Sequence, residues 1–290
     1  MPELPEVQTI VNDLKKQIIG FRILDVWSDA PRLVKKPPFL EFKKEIKNLK
    51  ILDIHRRGKN ILIRLDKNKM LLIHQKLTGH LLIGRWQIKN QKVIPLIPGP
   101  LKESVNNYIH LIFYLNNNKM LALSDLRKFA KVILGSNKEV ESLPDLKNLG
   151  VEPLNKDFTF SVFSSLISQE KRKIKTVLMD QKIISGIGNI YSDEMLWLSK
   201  IHPLSLAYQL SIFQQKKLYS ALKKVLKSAL YYRGSSVDDY RDPFGQEGHY
   251  SQKLRVYRRN KKPCFRCGHL IEKIKLQGRS AYFCPYCQKQ

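Results

Sequence analysis

The sequence predicts an α+β fold: a leading helix and a β-rich N-terminal half, then a helical half, then a small cysteine ribbon. Apolar residues at helical spacing follow Pro5, short β-type runs fill residues 23–134, and all four cysteines lie between Cys264 and Cys287. A chain of 290 residues is long enough for about two domains, which cluster at roughly 100 to 200 residues each.

The leading helix is predicted from its periodicity. Apolar residues recur at helical spacing from Val7 to Ile18, and Gly20 stands where a helix would end. We therefore expect one amphipathic helix at the start of the chain.

The next segment, up to about Leu134, has the pattern of an all-β domain. Short apolar runs are separated by turn-forming residues such as those at 66–68 and 116–118. Many short strands at this spacing favour a β-sandwich or barrel. The clearest runs are residues 51–54, 61–65, 70–73 and 108–114.

The second half of the chain is predicted to be helical. Glycines, prolines and scattered charges mark a linker over 136–157, and a long amphipathic helix is predicted over 212–232. A lysine-rich face of that helix is typical of a solvated surface. The predicted division is 1–135 for the N-terminal domain, 136–157 for the linker, 158–255 for the helical domain and 256–290 for the ribbon.

The charge of the chain points to a polyanionic partner. Lysine and arginine number 52 against 25 aspartates and glutamates, which leaves a net charge of +27 and a pI near 9.9. Such an excess favours nucleic acid over a small acidic metabolite, although a lysine-rich proteome also produces basic chains. No stretch approaches 18 consecutive apolar residues, and the acidic N-terminus does not resemble a signal peptide. We expect a cytoplasmic protein with no membrane partner.

The cysteines have the spacing of a metal site. Cys264 and Cys267 form one C-x2-C pair, Cys284 and Cys287 form another, and sixteen residues separate the pairs. This spacing indicates one four-cysteine zinc site; two disulfides or four idle thiols are the alternatives. Four thiolates fill the coordination sphere, so the zinc would be structural and would support the hairpin around Arg279.

The N-terminus has the composition of a reactive group. Removal of Met1 would give Pro2 a free secondary amine, which can attack an aldehyde-like carbon and form an iminium. Glu3 and Glu6 lie close by. The alternative is that both acids only favour a helix N-terminus and that Pro5 only suits its first turn.

Four segments in chain order resemble the formamidopyrimidine-DNA glycosylases, which are bifunctional base-excision repair enzymes. Residues 1–7 (MPELPEV) resemble the family's opening, and residues 57–62 (RGKNIL) resemble its R-G-K-x-hydrophobic strand motif. Residues 186–191 (GIGNIY) resemble the start of its helix-two-turn-helix element. Residues 279–284 (RSAYFC), with the cysteine ribbon, resemble its C-terminal end.

This resemblance implies a fold and a mechanism. The fold would be an N-terminal β-sandwich and a C-terminal helix-two-turn-helix domain with a zinc ribbon, with damaged double-stranded DNA in the cleft between them. Pro2 would attack the sugar C1′ and displace an oxidised purine such as 8-oxoguanine or a formamidopyrimidine. Glu3 would be the proton donor, Glu6 a supporting acid, Lys59 would assist β-elimination and Arg279 would assist δ-elimination. The protein would be both a hydrolase and a lyase.

The resemblance also implies the DNA contacts. Asn189 and Arg279 would hold the phosphates that flank the lesion, and Lys175 would be another DNA-facing residue. His74 and Tyr191, which lie within matching motifs, are also expected to bind DNA. For Asn189 the alternative is a helix cap.

Base eversion requires side chains that fill the vacated space. By resemblance these would be Leu77, Arg127 and Phe129, with Arg127 contacting the orphaned base; ordinary core packing is the alternative for Leu77 and Phe129. The chain departs from the family pattern at four places. Leu77 stands for Met, Lys128 for the second Arg of the turn, Ala130 for Gly, and Tyr108 for a histidine that often contacts DNA. We still expect Lys128 to bind DNA, although it lacks the planar guanidinium.

A polar loop over residues 234–250 would close over the everted base by resemblance, since loops of this length in a compact domain are usually functional or mobile. Three other functions stay open: the related branch that prefers oxidised pyrimidines, a catalytically silent damaged-DNA-binding protein, and an RNA- or protein-binding zinc ribbon. Leu4, where the pyrimidine branch tends to carry Gly, argues against the first. We expect a monomer of bacterial type associated with the nucleoid.

Overall fold

The structure is a computed structural model that describes residues 1–90 and 92–289. Gln91, in the predicted N-terminal domain, and Gln290, the last residue of the predicted ribbon, lie outside the described residues. The chain forms two compact units. The first unit comprises Met1–Lys147 and Tyr232–Ser251, and the second comprises Asn148–Tyr231 and Gln252–Gln290.

The leading helix, α1, spans Leu4–Ile18 and confirms the periodicity prediction. Its apolar stripe is fully buried, and Glu3 occupies the N-cap position. Pro5 lies in the first turn, where its missing N–H group costs no hydrogen bond. The start of the helix is therefore fixed by local sequence, and its orientation is fixed by burial of the stripe.

The first unit is built on two sheets, which among the described residues have four and five strands in the orders β1-β9-β10-β6 and β2-β11-β5-β4-β3. Neighbouring strands are antiparallel except for β2 and β11. The expected β-sandwich is confirmed. The strands are β1 Ile23–Ser28, β2 Val34–Lys36, β3 Ile51–Arg57, β4 Asn60–Leu65, β5 Lys69–His74, β6 His80–Gly84, β9 Ile109–Leu115, β10 Met120–Ser124 and β11 Lys131–Ser136.

One hydrophobic core joins both sheets to α1. Val7 and Leu14 of the helix belong to the same buried cluster as Ile54 of β3 and Phe113 of β9. A smaller cluster around Trp86 covers the outer face of the four-stranded sheet. This second cluster places the two-stranded hairpin formed by β7 Trp86–Lys89 and β8 Lys92–Pro95.

Short helices were missed by the prediction. Helix α2 (Phe39–Ile46) interrupts the β-rich segment, and α3 (Asn137–Glu141) and α4 (Pro144–Lys147) lie inside the predicted linker. Helix α3 begins at a capping box between Ser136 and Glu139, a signal that is local in the sequence. Short 3-10 turns lie at Pro31–Leu33, Pro100–Lys102, Ser104–Asn106, Ala207–Gln209 and Tyr250–Lys253.

The second unit contains the predicted helices and a two-stranded ribbon. Helix α7 is buried on nearly all sides and packs on the long helix α8, whose lysine face is largely exposed. Among the described residues no helix is both long enough and apolar enough to cross a bilayer. The elements are α5 Phe160–Ser168, α6 Ile174–Met179, α7 Asn189–Ser199, α8 Ile212–Tyr231, β12 Glu272–Leu276 and β13 Arg279–Phe283.

The predicted division placed the 234–250 loop in the helical domain over 158–255, but in the structure the loop belongs to the first unit. The reason is hydrogen bonding: Ser235 donates its backbone N–H to Glu6, and Ile83 of β6 donates to the Pro243 carbonyl at 2.7 Å. The sequence order of the loop, directly after α8, gave no sign of these partners.

Candidate active site and metal centre

The N-terminal residues form a buried, hydrogen-bonded corner of the first unit. Pro2 is buried, and Glu3 and Glu6 are only 3% and 1% exposed. The backbone N–H of Glu3 donates to Glu6 Oε2 at 2.8 Å as part of a capping box. Pro2 is therefore held beside two carboxyl groups by the first turn of α1.

The second carboxylate oxygen of Glu6 fixes the base of the 234–250 loop. Glu6 Oε1 accepts a 2.7 Å hydrogen bond from the Ser235 backbone N–H. A Cβ at Gly234, whose φ is +84°, would lie 2.7 Å from the same oxygen, so only glycine permits this approach. Backbone donors on both oxygens offset the cost of burying this carboxylate.

Lys59 lies in the tight turn of the β3–β4 hairpin. Arg57 and Asn60 are paired across the turn, Gly58 adopts a φ of +57°, and the Lys59 side chain is 6% exposed. Arg56 of β3 donates to Gln8 of α1 at 2.9 Å, which ties the hairpin to the helix that begins at the N-terminal corner. Lys59 is therefore not a solvated lysine at a strand end, which was the alternative to a functional role.

His74 is the last residue of strand β5, and its imidazole ring is neutral at neutral pH. Burial, together with the positive charges of Lys76 and Lys59, lowers the pKa of His74 to about 4. The Nδ1 atom accepts a 2.9 Å hydrogen bond from the Lys76 backbone N–H, which assigns the ring proton to Nε2. His74 can therefore donate a hydrogen bond to an anion at neutral pH.

The residues proposed to fill the DNA stack are exposed. Leu77 is 37% exposed and Phe129 is 50% exposed, so neither is an ordinary core residue. The Arg127 guanidinium lies 4.6 Å from the Phe129 ring centroid. Lys128 occupies a left-handed backbone position with a φ of +54°, and Ala130 is fully buried. The departure at Ala130 is thus accommodated in the core.

In the second unit, Arg279 is the first residue of β13 and is exposed. Gln277 and Gly278 both have positive φ, which is typical of a two-residue hairpin turn. Asn189 begins α7, and its Oδ1 atom is buried without a hydrogen-bond partner among the described residues. The N–H groups at a helix N-terminus, and the side-chain NH2 group of an asparagine there, are suited to an anionic ligand.

The structure corrects the expectation that Lys175 faces DNA. Its side chain is fully buried, and its Nζ lies 2.5 Å from Asp193 Oδ1 and 3.0 Å from the Ser280 carbonyl. Asp193 Oδ2 also accepts a hydrogen bond from the Tyr282 backbone N–H at 3.1 Å. Complete burial raises the pKa of Asp193 to about 7, although Lys175 opposes the shift. The pair holds strand β13, which begins at Arg279.

Tyr191 is corrected for the same reason. Among the described residues its side chain is one of the largest that are fully buried, so it packs within the second unit rather than presenting its ring to DNA. Tyr191 lies in the first half of α7, where burial on all sides is not visible from the GIGNIY motif alone.

Several structural residues were missed by sequence reasoning. Glu194 accepts three backbone hydrogen bonds of 2.8 to 3.0 Å from Arg255, Val256 and Tyr257, and burial raises its pKa while these bonds lower it. Gln75, between His74 and Lys76, is 1% exposed, and neither of its side-chain amide atoms has a partner among the described residues. For Glu194, the available sequence signal was an acidic residue inside an otherwise buried helix. For Gln75, the sequence offered no such signal.

The four cysteines form a metal centre. Their sulfur atoms all lie within 4.8 Å of one another, as the ligands of one tetrahedral ion must. Contacts between the sulfurs of 3.3 Å (Cys287 to Cys267) and 3.4 Å (Cys267 to Cys284) are much longer than the roughly 2 Å of a disulfide bond. Disulfides are therefore excluded, and the chain holds one structural zinc site.

Hydrogen bonds attach this centre to the helical part of the second unit. The Trp197 indole N–H donates to Cys264 Sγ at 3.4 Å. Gln288 accepts a bond from the Cys284 backbone N–H and donates to the Ile201 carbonyl at 2.8 Å. With four protein sulfurs, no coordination position is open to a reacting water, so this zinc has a structural role.

Comparison with known protein families covers nearly the whole chain. Residues 1–132 match the Formamidopyrimidine-DNA glycosylase N-terminal domain, residues 149–241 match the Formamidopyrimidine-DNA glycosylase H2TH domain, and residues 261–290 match the zinc finger found in FPG and IleRS. These three matches follow the same order as the motifs in the sequence.

Individual relatives agree over their full length. The formamidopyrimidine-DNA glycosylase of Pelotomaculum thermopropionicum is 37% identical over 289 residues, covering 100% of this chain and 99% of the relative. That of Desulforamulus reducens is 36% identical over 290 residues, again covering 100% and 99%.

Solved structures give the same result for the fold. The Lactococcus lactis Fpg bound to abasic-site DNA superposes with a TM-score of 0.86 at 32% identity, covering 99% of this chain and 100% of that chain. A MutM bound to DNA containing carbocyclic 8-oxo-G superposes with a TM-score of 0.85 at 33% identity, covering 100% of each chain.

The fold, the N-terminal corner and the zinc centre thus define a class, the DNA repair glycosylases that also act as lyases at abasic sites. Within this class, the chain belongs to the formamidopyrimidine-DNA glycosylase family.

Proposed function

We propose that this protein excises oxidised purines, 8-oxoguanine and formamidopyrimidines, from duplex DNA and cleaves the resulting abasic site by β,δ-elimination. The observation that supports this most directly is the buried corner formed by Pro2, Glu3 and Glu6. Solved relatives are complexes with Fapy-dG DNA and 8-oxo-G DNA, which supports the substrate class.

Pro2 is the proposed nucleophile. After removal of Met1, its secondary amine attacks the sugar C1′, and the bond from C1′ to the damaged base breaks with the electron pair leaving on the base. Opening of the sugar ring then leaves an iminium between Pro2 and C1′. Glu3 supplies the proton for these steps, because it adjoins Pro2 and lies in the same buried corner.

The elimination steps are assigned to two basic residues. Lys59 assists removal of the C2′ proton, which expels the 3′ phosphate, and its low exposure of 6% limits competition from water. Arg279 assists the second elimination and binds phosphate from the turn at the start of β13. Glu6 supports the corner through its two backbone hydrogen bonds and does not itself transfer a proton in this proposal.

The DNA contacts fall into two groups. Leu77, Arg127 and Phe129 fill the space left by the everted base, which their exposure permits. Phosphates are bound by the Nε2 donor of neutral His74, by Lys128, by the side-chain NH2 group of Asn189 at the start of α7 and by Arg279. Lys175 and Tyr191 are left out of this set because both are buried.

The 234–250 loop is proposed to cover the everted base, and the protein is proposed to act as a monomer on DNA in the bacterial cytoplasm. The predicted boundaries of the helical domain and ribbon remain a proposal, with the loop transferred to the first unit.

Single-turnover excision on a panel of duplexes tests the substrate assignment. The panel contains 8-oxoguanine opposite cytosine, a formamidopyrimidine, an oxidised pyrimidine and an undamaged control. We expect fastest release of the oxidised purines and strand cleavage that leaves phosphate at both ends. Faster release of the oxidised pyrimidine would reassign the protein to the related branch, and no release from any duplex would favour a silent DNA-binding protein.

A further inference from the structure

The 234–250 loop rests on a short two-stranded stem in the first unit. The backbone N–H groups of His249 and Tyr250 donate to the carbonyls of Tyr232 and Gly234 at 2.8 and 2.9 Å. A Cβ at Gly248 would lie 2.5 Å from the Gly234 carbonyl oxygen, so the two sides of the stem are in close backbone contact. The stem is therefore a fixed base from which the loop extends.

Arg233, within this stem, bridges two acidic residues. Its guanidinium donates to both carboxylate oxygens of Asp13 in α1, at 2.6 and 3.4 Å. It also donates twice to Asp242 Oδ2, at 2.5 and 3.1 Å. The side chains of Asp13 and Asp242 are 9% and 0% exposed, so one cation compensates two buried charges.

The two attachment points of the stem lie on one face of α1. Glu6, which accepts the Ser235 N–H, and Asp13, which accepts the Arg233 guanidinium, are separated by seven residues, or two helical turns of about 10 Å in total. The stem is thus fixed at two points along the helix whose N-cap is Glu3, the proposed acid, and which begins next to Pro2, the proposed nucleophile.

Asp242 connects Arg233 to the loop. Its Oδ1 atom accepts backbone hydrogen bonds from Phe244 at 2.9 Å and Gln246 at 3.0 Å, which close a tight turn in the middle of the loop. The same carboxylate therefore shapes the loop and binds Arg233. Helix α1, the stem and the loop turn all meet at one guanidinium.

The backbone at Arg233 favours glycine. Its φ is +62°, in the left-handed region that non-glycine residues occupy at an energetic cost. An arginine at such a position is best explained by what its side chain does. Its two carboxylate partners raise the pKa of the guanidinium above its usual range, although burial lowers it.

We infer that Arg233 is a positioning residue that fixes the 234–250 loop relative to the N-terminal corner, so that capture of the damaged base depends on it while chemistry at the sugar does not. This inference rests on the proposed function. It concerns the loop's role in base recognition, which a substrate without a base bypasses.

The test compares Arg233→Gln with a matched control, Arg22→Gln. Arg22 is also a partly exposed arginine of the first unit that joins two segments, through Asp66 at 3.1 Å and the Asn48 carbonyl at 2.7 Å. Each protein is assayed on duplex DNA containing 8-oxoguanine and on the same duplex with a preformed abasic site.

For Arg233→Gln we expect base excision to fall by roughly tenfold, because misplacement by about 1 Å has effects of this order or larger. Cleavage at the abasic site is expected to stay within twofold of wild type, and the control should match wild type on both substrates.

Arg233→Gly guards against a folding artefact, since glycine suits the backbone there. It should reproduce the selective loss, whereas Arg233→Lys, which keeps the charge but not the two-sided guanidinium, should lose less. Unchanged excision in both Arg233→Gln and Arg233→Gly, or a parallel fall on both substrates, would overturn the inference alone. Absence of both activities in the wild-type protein would instead overturn the proposed function, and the inference with it.

Discussion

Thr78 donates a 2.5 Å hydrogen bond to Asp125 and thereby joins the turn that presents Leu77 to the turn that presents Phe129. The other oxygen of Asp125 accepts the Ala130 backbone N–H at 2.7 Å. One fully buried carboxylate thus organises both of the turns from which the proposed stack-filling side chains project. The positions of Leu77 and Phe129 are therefore linked through Asp125.

Removing the Thr78 hydroxyl should loosen both turns. We expect Thr78→Val to reduce the free energy of unfolding of the first unit by about 1–3 kcal/mol, because it leaves a buried carboxylate oxygen with a weaker set of donors. Excision should fall in the same variant, while Thr78→Ser, which keeps the hydroxyl, should behave as wild type. Denaturant unfolding and single-turnover excision check the two effects; a Thr78→Val protein as stable and active as Thr78→Ser would refute the shared role of Asp125.

The stability of the first unit should fall on acidification in part through His74. The pKa of this histidine is lowered to about 4, so the unfolded chain takes up a proton near pH 6.5 while the folded chain does not. The stabilisation that depends on neutral His74 is fully present above pH 6.5. As the pH falls from there towards 4, the free energy of unfolding decreases by about 3 kcal/mol in total.

The check is the free energy of unfolding, followed through Trp27 and Trp86 in the first unit, for wild type and His74→Asn between pH 7 and pH 4. The variant should show the shallower dependence on pH. Identical slopes for the two proteins would show that His74 is not held neutral by burial.

Removal of the metal should affect the second unit selectively. Because the Trp197 indole bonds to Cys264 Sγ, chelation should change Trp197 fluorescence as the ribbon loosens. We expect weaker DNA binding, since Arg279 lies in the same ribbon, and an unchanged unfolding midpoint for the first unit. Verified loss of zinc with full DNA affinity would show that the ribbon is dispensable for binding.

The buried pair of Lys175 and Asp193 predicts a strongly non-additive pair of substitutions. Lys175→Met alone should destabilise the second unit by about 3–5 kcal/mol, because it leaves the Asp193 carboxyl buried without its cation. Adding Asp193→Leu should recover much of this loss, since the apolar pair buries no charge. Thermal unfolding of the two variants measures the difference; a milder effect of Lys175→Met than of the double variant would contradict the burial.

Features governed by local sequence were predictable. The stripe of α1 and the two C-x2-C pairs are fixed by spacings of a few residues, so the helix and the metal centre were confirmed as predicted. Features that depend on distant partners were not. Nothing near Lys175 in sequence indicates that Asp193 and the Ser280 carbonyl will enclose its amine, and a lysine among four other basic or polar neighbours appeared exposed.

The same distinction separates Arg233 from the residues of the matching motifs. Pro2, Lys59 and Asn189 lie in short motifs that a resemblance to a family can transfer. Arg233 acts through Asp13, which is 220 residues away in sequence, and through a loop turn that only the folded chain brings next to it. Its left-handed backbone conformation, the clearest sign of its role, is likewise invisible in the sequence.

Borohydride trapping is the most direct test of Pro2 as the nucleophile of a glycosylase and lyase. Purified protein whose intact mass shows loss of Met1 is incubated with borohydride and duplex DNA carrying 8-oxoguanine opposite cytosine, with Glu3→Gln as the matched variant. We expect a covalent protein–DNA adduct that maps to Pro2 in the wild type and is strongly reduced in the variant. Zinc-loaded, Met1-free protein that yields no adduct, or an adduct that maps to Lys59, would contradict it.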